Sequence, residues 1–100
     1  MSKSEVFNEI FAVVMAETEV SEAEIIGKCK TIEVVDARYL LVYFLARHAG
    51  FTNNAIAKKL AMTPQAVAQI LRNFDLRRKQ SGRFFEITFV RIAKALESNP

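Results

Sequence analysis

The stretch from Asn53 to Asn73, NNAIAKKLAMTPQAVAQILRN, decides the fold of this chain. Its apolar residues form two groups with helical spacing, Ile56, Ala57 and Leu60 in the first and Val67, Ile70 and Leu71 in the second. Thr52 and Thr63 precede the two groups, and a threonine oxygen can accept an unpaired N–H at a helix start. Pro64 suits the first helical position because it has no N–H to leave unpaired. The stretch therefore predicts two short helices joined by a turn at residues 61–63.

This spacing resembles the helix-turn-helix of DNA-binding proteins. In that motif a small residue lets the second helix cross closely, and an apolar residue in the turn fixes the angle; Ala57 and Met62 match these roles. Ala61 departs from the pattern, because many members have glycine there to reach a left-handed conformation. The resemblance implies a reading helix for duplex DNA, although any pair of packed helices shows such periodicity.

Length and composition indicate one globular domain spanning residues 1–100. Half of the residues, 51%, are hydrophobic, and a chain of 100 residues can bury a core without disulfides. Cys29 is the only cysteine, which excludes an internal disulfide and fits a reducing compartment. There is no secretory pattern and no apolar run of membrane-spanning length. We expect a cytoplasmic protein that does not bind membranes.

The net charge of +3 is unevenly distributed along the chain. Residues 1–50 carry five Lys/Arg against eight Asp/Glu, a net charge of −3, and residues 51–100 carry nine against three, a net charge of +6. The basic charge therefore accompanies the predicted reading unit. A concentrated positive field attracts polyanions and makes binding depend on salt.

Two capping boxes predict the first two helices. Ser2 and Ser21 are each followed three residues later by glutamate, a pattern typical of a helix start. We expect the first helix to end near Met15 and the short second helix to end at Gly27, followed by a polar connection.

Apolar spacing predicts a long central helix over residues 33–49, with Gly50 as its stop. Near the C-terminus, apolar residues recur at intervals of four, three and four, at Phe85, Phe89, Ile92 and Leu96. This spacing favours a helix. Alternatively, Ser81 and Gly82 form the tip of a β-hairpin with residues 83–88 as one strand, as in a winged helix. The helical reading predicts an all-α, compact bundle of about five to six helices.

The segment from Val20 to Asn73 resembles the C-terminal DNA-binding domain of the bacterial replication initiator DnaA and related domains of transposon-associated proteins. The matching pieces are the short helix after Val20, the basic loop around Lys28 and Lys30, the Ala37-Arg38 pair that starts the long helix, and the helix-turn-helix. The resemblance implies an all-helical fold related to that of the tryptophan repressor, with the second motif helix in the major groove.

The segment also departs from that family. The initiator has Arg-Asp-His-Thr-Thr-Val entering its reading helix, and of the corresponding residues 62–67 only Val67 is shared. Recognition of the same DNA site is therefore not expected. No phosphate-binding glycine-rich loop occurs in the sequence, so we do not expect initiator activity from this chain alone.

Side chains of the second motif helix that point away from Ile56 and Met62 are the candidates for reading bases. These candidate base contacts are Thr63, Gln65, Ala66, Gln69 and Arg72. Glutamine can bond adenine in two places, arginine can do so with guanine, and an alanine can contact a thymine methyl. The alternative is that both glutamines are ordinary solvated residues.

Basic residues on and after the motif are the candidates for phosphate contacts. They are Lys58, Lys59, Arg77, Arg78, Lys79 and Arg83. The family resemblance alone adds Lys28, Lys30 and Arg38, although Arg38 could instead pair with Asp36 or Glu33.

Other function classes have weaker support in the sequence. A helical interaction module could use Phe84, Phe85 and Phe89, or the first helix with Phe7 and Phe11, to form a homodimer or bind a larger protein. An enzyme is not expected, because no catalytic grouping, metal cluster or cofactor motif is recognisable and the single histidine, His48, falls at a helix end. The sequence therefore predicts a regulator or accessory factor of replication, transcription or a mobile element that binds duplex DNA.

Overall fold

The computed structural model describes residues 2–97, which form five α-helices. The helices are α1 (Lys3–Thr18), α2 (Glu22–Ile26), α3 (Ile32–Tyr43), α4 (Asn53–Leu60) and α5 (Pro64–Glu97). A π-helical turn, Phe44–His48, continues α3. No strand occurs among these residues, and the all-α bundle predicted from the sequence is confirmed.

Both predicted capping boxes are present. The Ser2 hydroxyl accepts the Glu5 N–H at 3.2 Å, and the Glu5 carboxylate accepts the Ser2 N–H at 3.3 Å. The corresponding distances for Ser21 and Glu24 are 3.2 and 3.1 Å, and these bonds hold the pKa of the Glu24 carboxyl below its ordinary value. The first helix runs one turn further than predicted, to Thr18.

The long helix predicted over residues 33–49 is present but ends in the π-helical turn. The Ala49 N–H donates to the Phe44 carbonyl at 3.2 Å, five residues back, instead of four. Gly50 then adopts a positive φ of 75°, which a glycine reaches without a steric penalty. Gly50 is thus the predicted stop.

The last helix, α5, folds back on itself at Gly82. A straight helix of 34 residues would be about 51 Å long, whereas the longest dimension of the whole molecule is 35 Å. Gly82 has φ 75° and ψ −154°, far from helical values. We call residues 64–81 the first arm of α5 and residues 83–97 the second arm.

Contacts between the arms confirm the reversal. The rings of Phe74 and Phe89, fifteen positions apart, have centroids 6.0 Å apart, and Phe74 and Phe85 are 5.7 Å apart. The second arm is helical, and Phe85, Ile92 and Leu96 are buried as their spacing predicts. The alternative hairpin over residues 83–88 is therefore wrong.

An aromatic cluster joins α3, the π-helical turn and both arms. It consists of Tyr43, Phe44, Phe74, Phe85 and Phe89. The Tyr43 and Phe74 rings are stacked, with centroids 4.2 Å apart and planes 18° apart. Aromatic pairs of this kind stabilise by about 0.5–1.5 kcal/mol each beyond the apolar area that they bury. The cluster therefore holds the first arm firmly against the central helix.

Asp36 adds a polar link between α3 and the first arm. Its carboxylate accepts the Arg77 Nε–H at 2.7 Å and the Ser81 hydroxyl at 3.3 Å. The two bonds lie one helical turn apart on the first arm, so they fix its rotation as well as its distance from α3.

We expect Gly82→Ala to lower the free energy of unfolding by about 1–3 kcal/mol, because only glycine adopts this φ/ψ combination without strain. A Cβ at this position would meet no atom within 4 Å, so the cost is conformational and not steric. Urea unfolding monitored by circular dichroism measures it. Gln80→Ala, at an exposed helical site in the same arm, should change stability by less than about 0.5 kcal/mol. Equal stability of the two variants would contradict the prediction.

Candidate nucleic-acid interface

The two predicted helices and their turn are present as α4, residues 61–63 and the start of α5, although the second helix continues past residue 73 to the end of the first arm. The Met62 N–H donates to the Ala57 carbonyl at 2.9 Å and closes the turn. The Thr63 hydroxyl accepts the Ala66 N–H at 3.1 Å, and its carbonyl accepts the Val67 N–H at 3.1 Å. Thr63 therefore caps α5 as its sequence context predicts.

Ala61 adopts the left-handed conformation, with φ 55° and ψ 44°. This is the conformation for which glycine was expected at this position. An L-residue adopts it at a cost of about 1–2 kcal/mol. The turn therefore stores some strain that a glycine at this position would avoid.

The inner faces of the motif helices are buried. Ile56, Ala57 and Leu60 on α4 pack against the core, and so do Val67 and Ile70 on α5. The Thr52 hydroxyl accepts the Ala55 N–H at 3.2 Å and begins α4 where predicted. The start of the first arm is thereby held in place by apolar contacts.

The outer face of the first arm is open to solvent. Thr63, Gln65, Gln69 and Arg72 are exposed, and Ala66 is half-buried. The second arm does not cover them. Because the last three exposed residues are spaced by four and three, they form one stripe along the helix.

Leu76 extends this stripe by one turn and was not singled out from the sequence. Its side chain is 56% exposed. The spacing of four from Arg72 is the signal that places it on the stripe. A leucine there can contact the sugar or methyl groups of a nucleic acid but can form no hydrogen bond with it.

Several basic side chains predicted to contact phosphate are exposed. They are Lys28 and Lys30 between α2 and α3, Lys58 and Lys59 on α4, and Lys79 and Arg83 on α5. The Lys59 ammonium lies 4.9 Å from the centroid of the Phe7 ring, so α1 contributes to its position.

Arg38 has an intramolecular role. Its guanidinium donates to the carbonyls of Ile25 at 2.9 Å, Gly27 at 3.0 Å and Glu24 at 3.3 Å, and to that of Cys29 at 3.4 Å. These are carbonyls at the end of α2 and in the following loop, where a cation is favourable. In the structure Arg38 therefore bonds backbone carbonyls and neither of the carboxylate partners considered from the sequence.

Arg77 and Arg78 also have partners within the chain. Arg77 bonds Asp36 and lies over the Tyr39 ring at 4.9 Å. Arg78 donates to both carboxylate oxygens of Glu86, at 2.8 and 2.6 Å. The Glu86 hydrogen bonds raise the pKa of Arg78, and the Arg78 guanidinium lowers the pKa of the Glu86 carboxyl. Both arginines are half-buried and stabilise the arms of α5.

The described residues offer no other centre with recognisable chemistry. Among residues 2–97, no group of three or more His, Cys, Asp and Glu side chains could hold a metal ion. None of the helices in this part of the chain combines the length and hydrophobicity needed to cross a membrane. The open stripe of the first arm, with the exposed basic residues near it, is the candidate functional surface.

Comparison with known proteins identifies no relative of this chain. The chain matches no protein-family model, no curated protein and no solved structure.

We expect Glu86→Gln to destabilise the protein near neutral pH and to have little effect at a pH low enough to protonate Glu86 in the folded protein. The folded-state pKa of Glu86 is below its ordinary value of 4.5, so its contribution is present above that value and is lost as the pH falls through the lowered pKa. Urea unfolding at both pH values measures this. The effect should be small because the pair is partly exposed.

Arg78→Gln provides the matched control for this pair. Arg78→Gln should remove the same pH-dependent contribution to the free energy of unfolding. The double variant should show no additional loss of this contribution. A destabilisation by Glu86→Gln that is equally large at a pH low enough to protonate Glu86 in the folded protein would contradict the assigned role of the ion pair.

Proposed function

We propose that this protein binds duplex DNA by inserting the start of α5 into the major groove. The observation that carries the proposal is the solvent-exposed stripe of Gln65, Gln69 and Arg72 on a helix whose start is capped by Thr63. The major groove of B-DNA accepts an α-helix and displays a distinct donor and acceptor pattern for each base pair. Helix-turn-helix proteins read that pattern with residues near the start of the second helix.

The stripe has the chemistry needed for sequence discrimination. Gln65 and Gln69 can each make paired hydrogen bonds with adenine, and Arg72 can do so with guanine. Thr63 can bond a base or a phosphate, and Ala66 can contact a thymine methyl. The buried inner face fixes the backbone of this helix. DNA binding therefore has to order only the side chains of the stripe and not the backbone that carries them.

The phosphate contacts are proposed for the exposed lysines above all. Lys58 and Lys59 lie on the helix that would cross the sugar-phosphate backbone, and Lys79 and Arg83 follow the reading segment. Arg77 and Arg78 would have to share their guanidinium groups between phosphate and the carboxylates of Asp36 and Glu86. Their direct contribution to DNA binding should therefore be smaller than that of the lysines.

The proposed biological role rests only on the sequence resemblance to the initiator's DNA-binding domain, which implies a fold related to that of the tryptophan repressor. We propose a cytoplasmic regulator or accessory factor of replication, transcription or a mobile element. Lys28 and Lys30 correspond to the basic loop that contacts a neighbouring minor groove in that family, and both are exposed as such a contact requires.

An interaction module is the second candidate function, because Phe84 is 79% exposed. Selection of bound sequences from a random pool of duplex oligonucleotides separates the two. Enrichment of a shared sequence supports DNA reading, and the absence of any retained DNA near physiological salt supports the interaction module.

We expect Gln69→Ala to weaken binding to the selected sequence by about 1–3 kcal/mol, the contribution of one paired base contact. Binding to random DNA should change by less than about 0.5 kcal/mol, because phosphate contacts dominate there. Fluorescence anisotropy titration of both DNAs measures the difference. The control is Gln80→Ala, the same change outside the stripe, which should affect neither. An equal loss on both DNAs would remove Gln69 from base recognition.

We expect Lys58→Gln to weaken binding to any duplex and to reduce the slope of log K against log salt by about 0.9, the value for one phosphate contact. Titrations over a series of salt concentrations measure the slope. Lys94→Gln removes the same charge near the end of α5 and should leave the slope unchanged. If both variants change the slope equally, Lys58 acts only through net charge.

A further inference from the structure

The outer flank of the second arm bears apolar side chains that the core does not use. Phe84 is 79% exposed and Ile87 is 44% exposed, although Phe85 and Thr88 beside them are buried. Since Phe84, Ile87 and Arg91 are spaced by three and four residues, they lie on one flank of the helix. Phe84 therefore projects from a helix whose other large aromatic residues turn inward.

Phe84 stands at the edge of a groove between the second arm and the region where α1 ends and α3 begins. The groove has a volume of about 450 Å³, and its lining includes Thr18, Glu19, Ile32, Leu40, Phe84 and Phe85. Ile32 on the opposite side is 70% exposed. The volume of the groove is within the range of about 300–1,000 Å³ for clefts that accept a ligand or side chain.

Charges of opposite sign border the two sides of this surface. Glu19 and Glu33, on the side of α1 and α3, are exposed. Arg83 and Arg91, on the side of the second arm, are exposed as well. The surface thus combines an apolar anchor, a groove lined by apolar side chains together with polar ones such as Glu33 and Asp36, an acidic border and a basic border in one place.

We propose that this surface joins two copies of the chain in a two-fold symmetric dimer, with Phe84 of each copy in the groove of the other. A two-fold interface uses the same patch on both copies, so the patch must contain both the anchor and the groove. When the two-fold axis runs between the two borders and parallel to them, the rotation brings the basic border of one copy against the acidic border of the other, and the same axis exchanges anchor and groove. Charge complementarity thus favours a second copy as the occupant.

The interface is small and belongs to a weak, concentration-dependent dimer. A patch centred on one aromatic anchor and one groove lies at the low end of specific interfaces. Exposed aromatic residues that enter a partner's pocket usually provide most of the binding energy of such contacts. Phe84 is therefore the residue on which association depends.

Sedimentation equilibrium of the full chain over a range of concentrations, without DNA, tests the dimer. We expect a monomer–dimer equilibrium that Phe84→Ser weakens at least about tenfold. Leu76→Ser, which removes an exposed leucine outside the groove lining, is the matched control and should associate as the unchanged protein does. A monomeric mass at every concentration, or association that Phe84→Ser leaves intact, would overturn the proposal. Because no DNA is present, the result is independent of the proposed DNA binding.

Exchange of charges tests the two-fold arrangement. Glu33→Lys and Arg91→Glu should each weaken self-association, because each brings like charges together twice across the interface. An equimolar mixture of the two variants should associate more tightly than either alone, because both contacts are then between opposite charges. Circular dichroism of each variant checks that the fold is kept. A mixture that associates no better than the separate variants would overturn the arrangement.

Discussion

The stacking of Tyr43 on Phe74 is the contact on which the position of the reading segment depends. It fastens the middle of the first arm to the central helix, with the rings of Phe85 and Phe89 behind it. The start of α5 is therefore held in a fixed position. A short helix stabilised only by its own hydrogen bonds would not be held in this way. Most of the stability of a protein helix comes from packing of its apolar face, so the exposed stripe owes its order to this packing.

The polar contacts around that base complete the constraint. Asp36 sets the rotation of the first arm through Arg77 and Ser81, and Arg78 joins the arms through Glu86. Charged side chains are commonly exposed to solvent, but here they form bonds that fix the arrangement of the helices. The distribution of basic residues along the sequence consequently overstates the positive charge that is available to a polyanion.

Local features of the fold could be predicted from the sequence because their causes are local. Each of these features acts between residues one or two helical turns apart. They are the serine-glutamate pairs, Thr63 before Pro64, and the spacing of Phe85, Phe89, Ile92 and Leu96. Asp36 and Arg77 are 41 positions apart, and no pattern in the sequence identifies them as partners. The partners of Arg38 lie in another element and Glu86 lies across the reversal at Gly82 from Arg78, so these contacts too depend on how the chain folds back. The residues of Phe44–His48 likewise carry no distinct sequence signal for the π-helical turn. The reversal at Gly82 was partly predictable, since a glycine between two helical patterns marks a turn.

The bonds from Arg38 to the carbonyls around the end of α2 have a thermodynamic consequence for the loop that contains Lys28 and Lys30. One guanidinium holds the backbone on both sides of Lys28, through Gly27 and Cys29, while the two ammonium groups remain in solvent. An anion that engages these lysines meets a main chain that has already lost its freedom during folding. Most of the conformational entropy of the loop backbone is therefore lost when the protein folds. Binding of an anion then restricts only the rotamers of the lysine side chains.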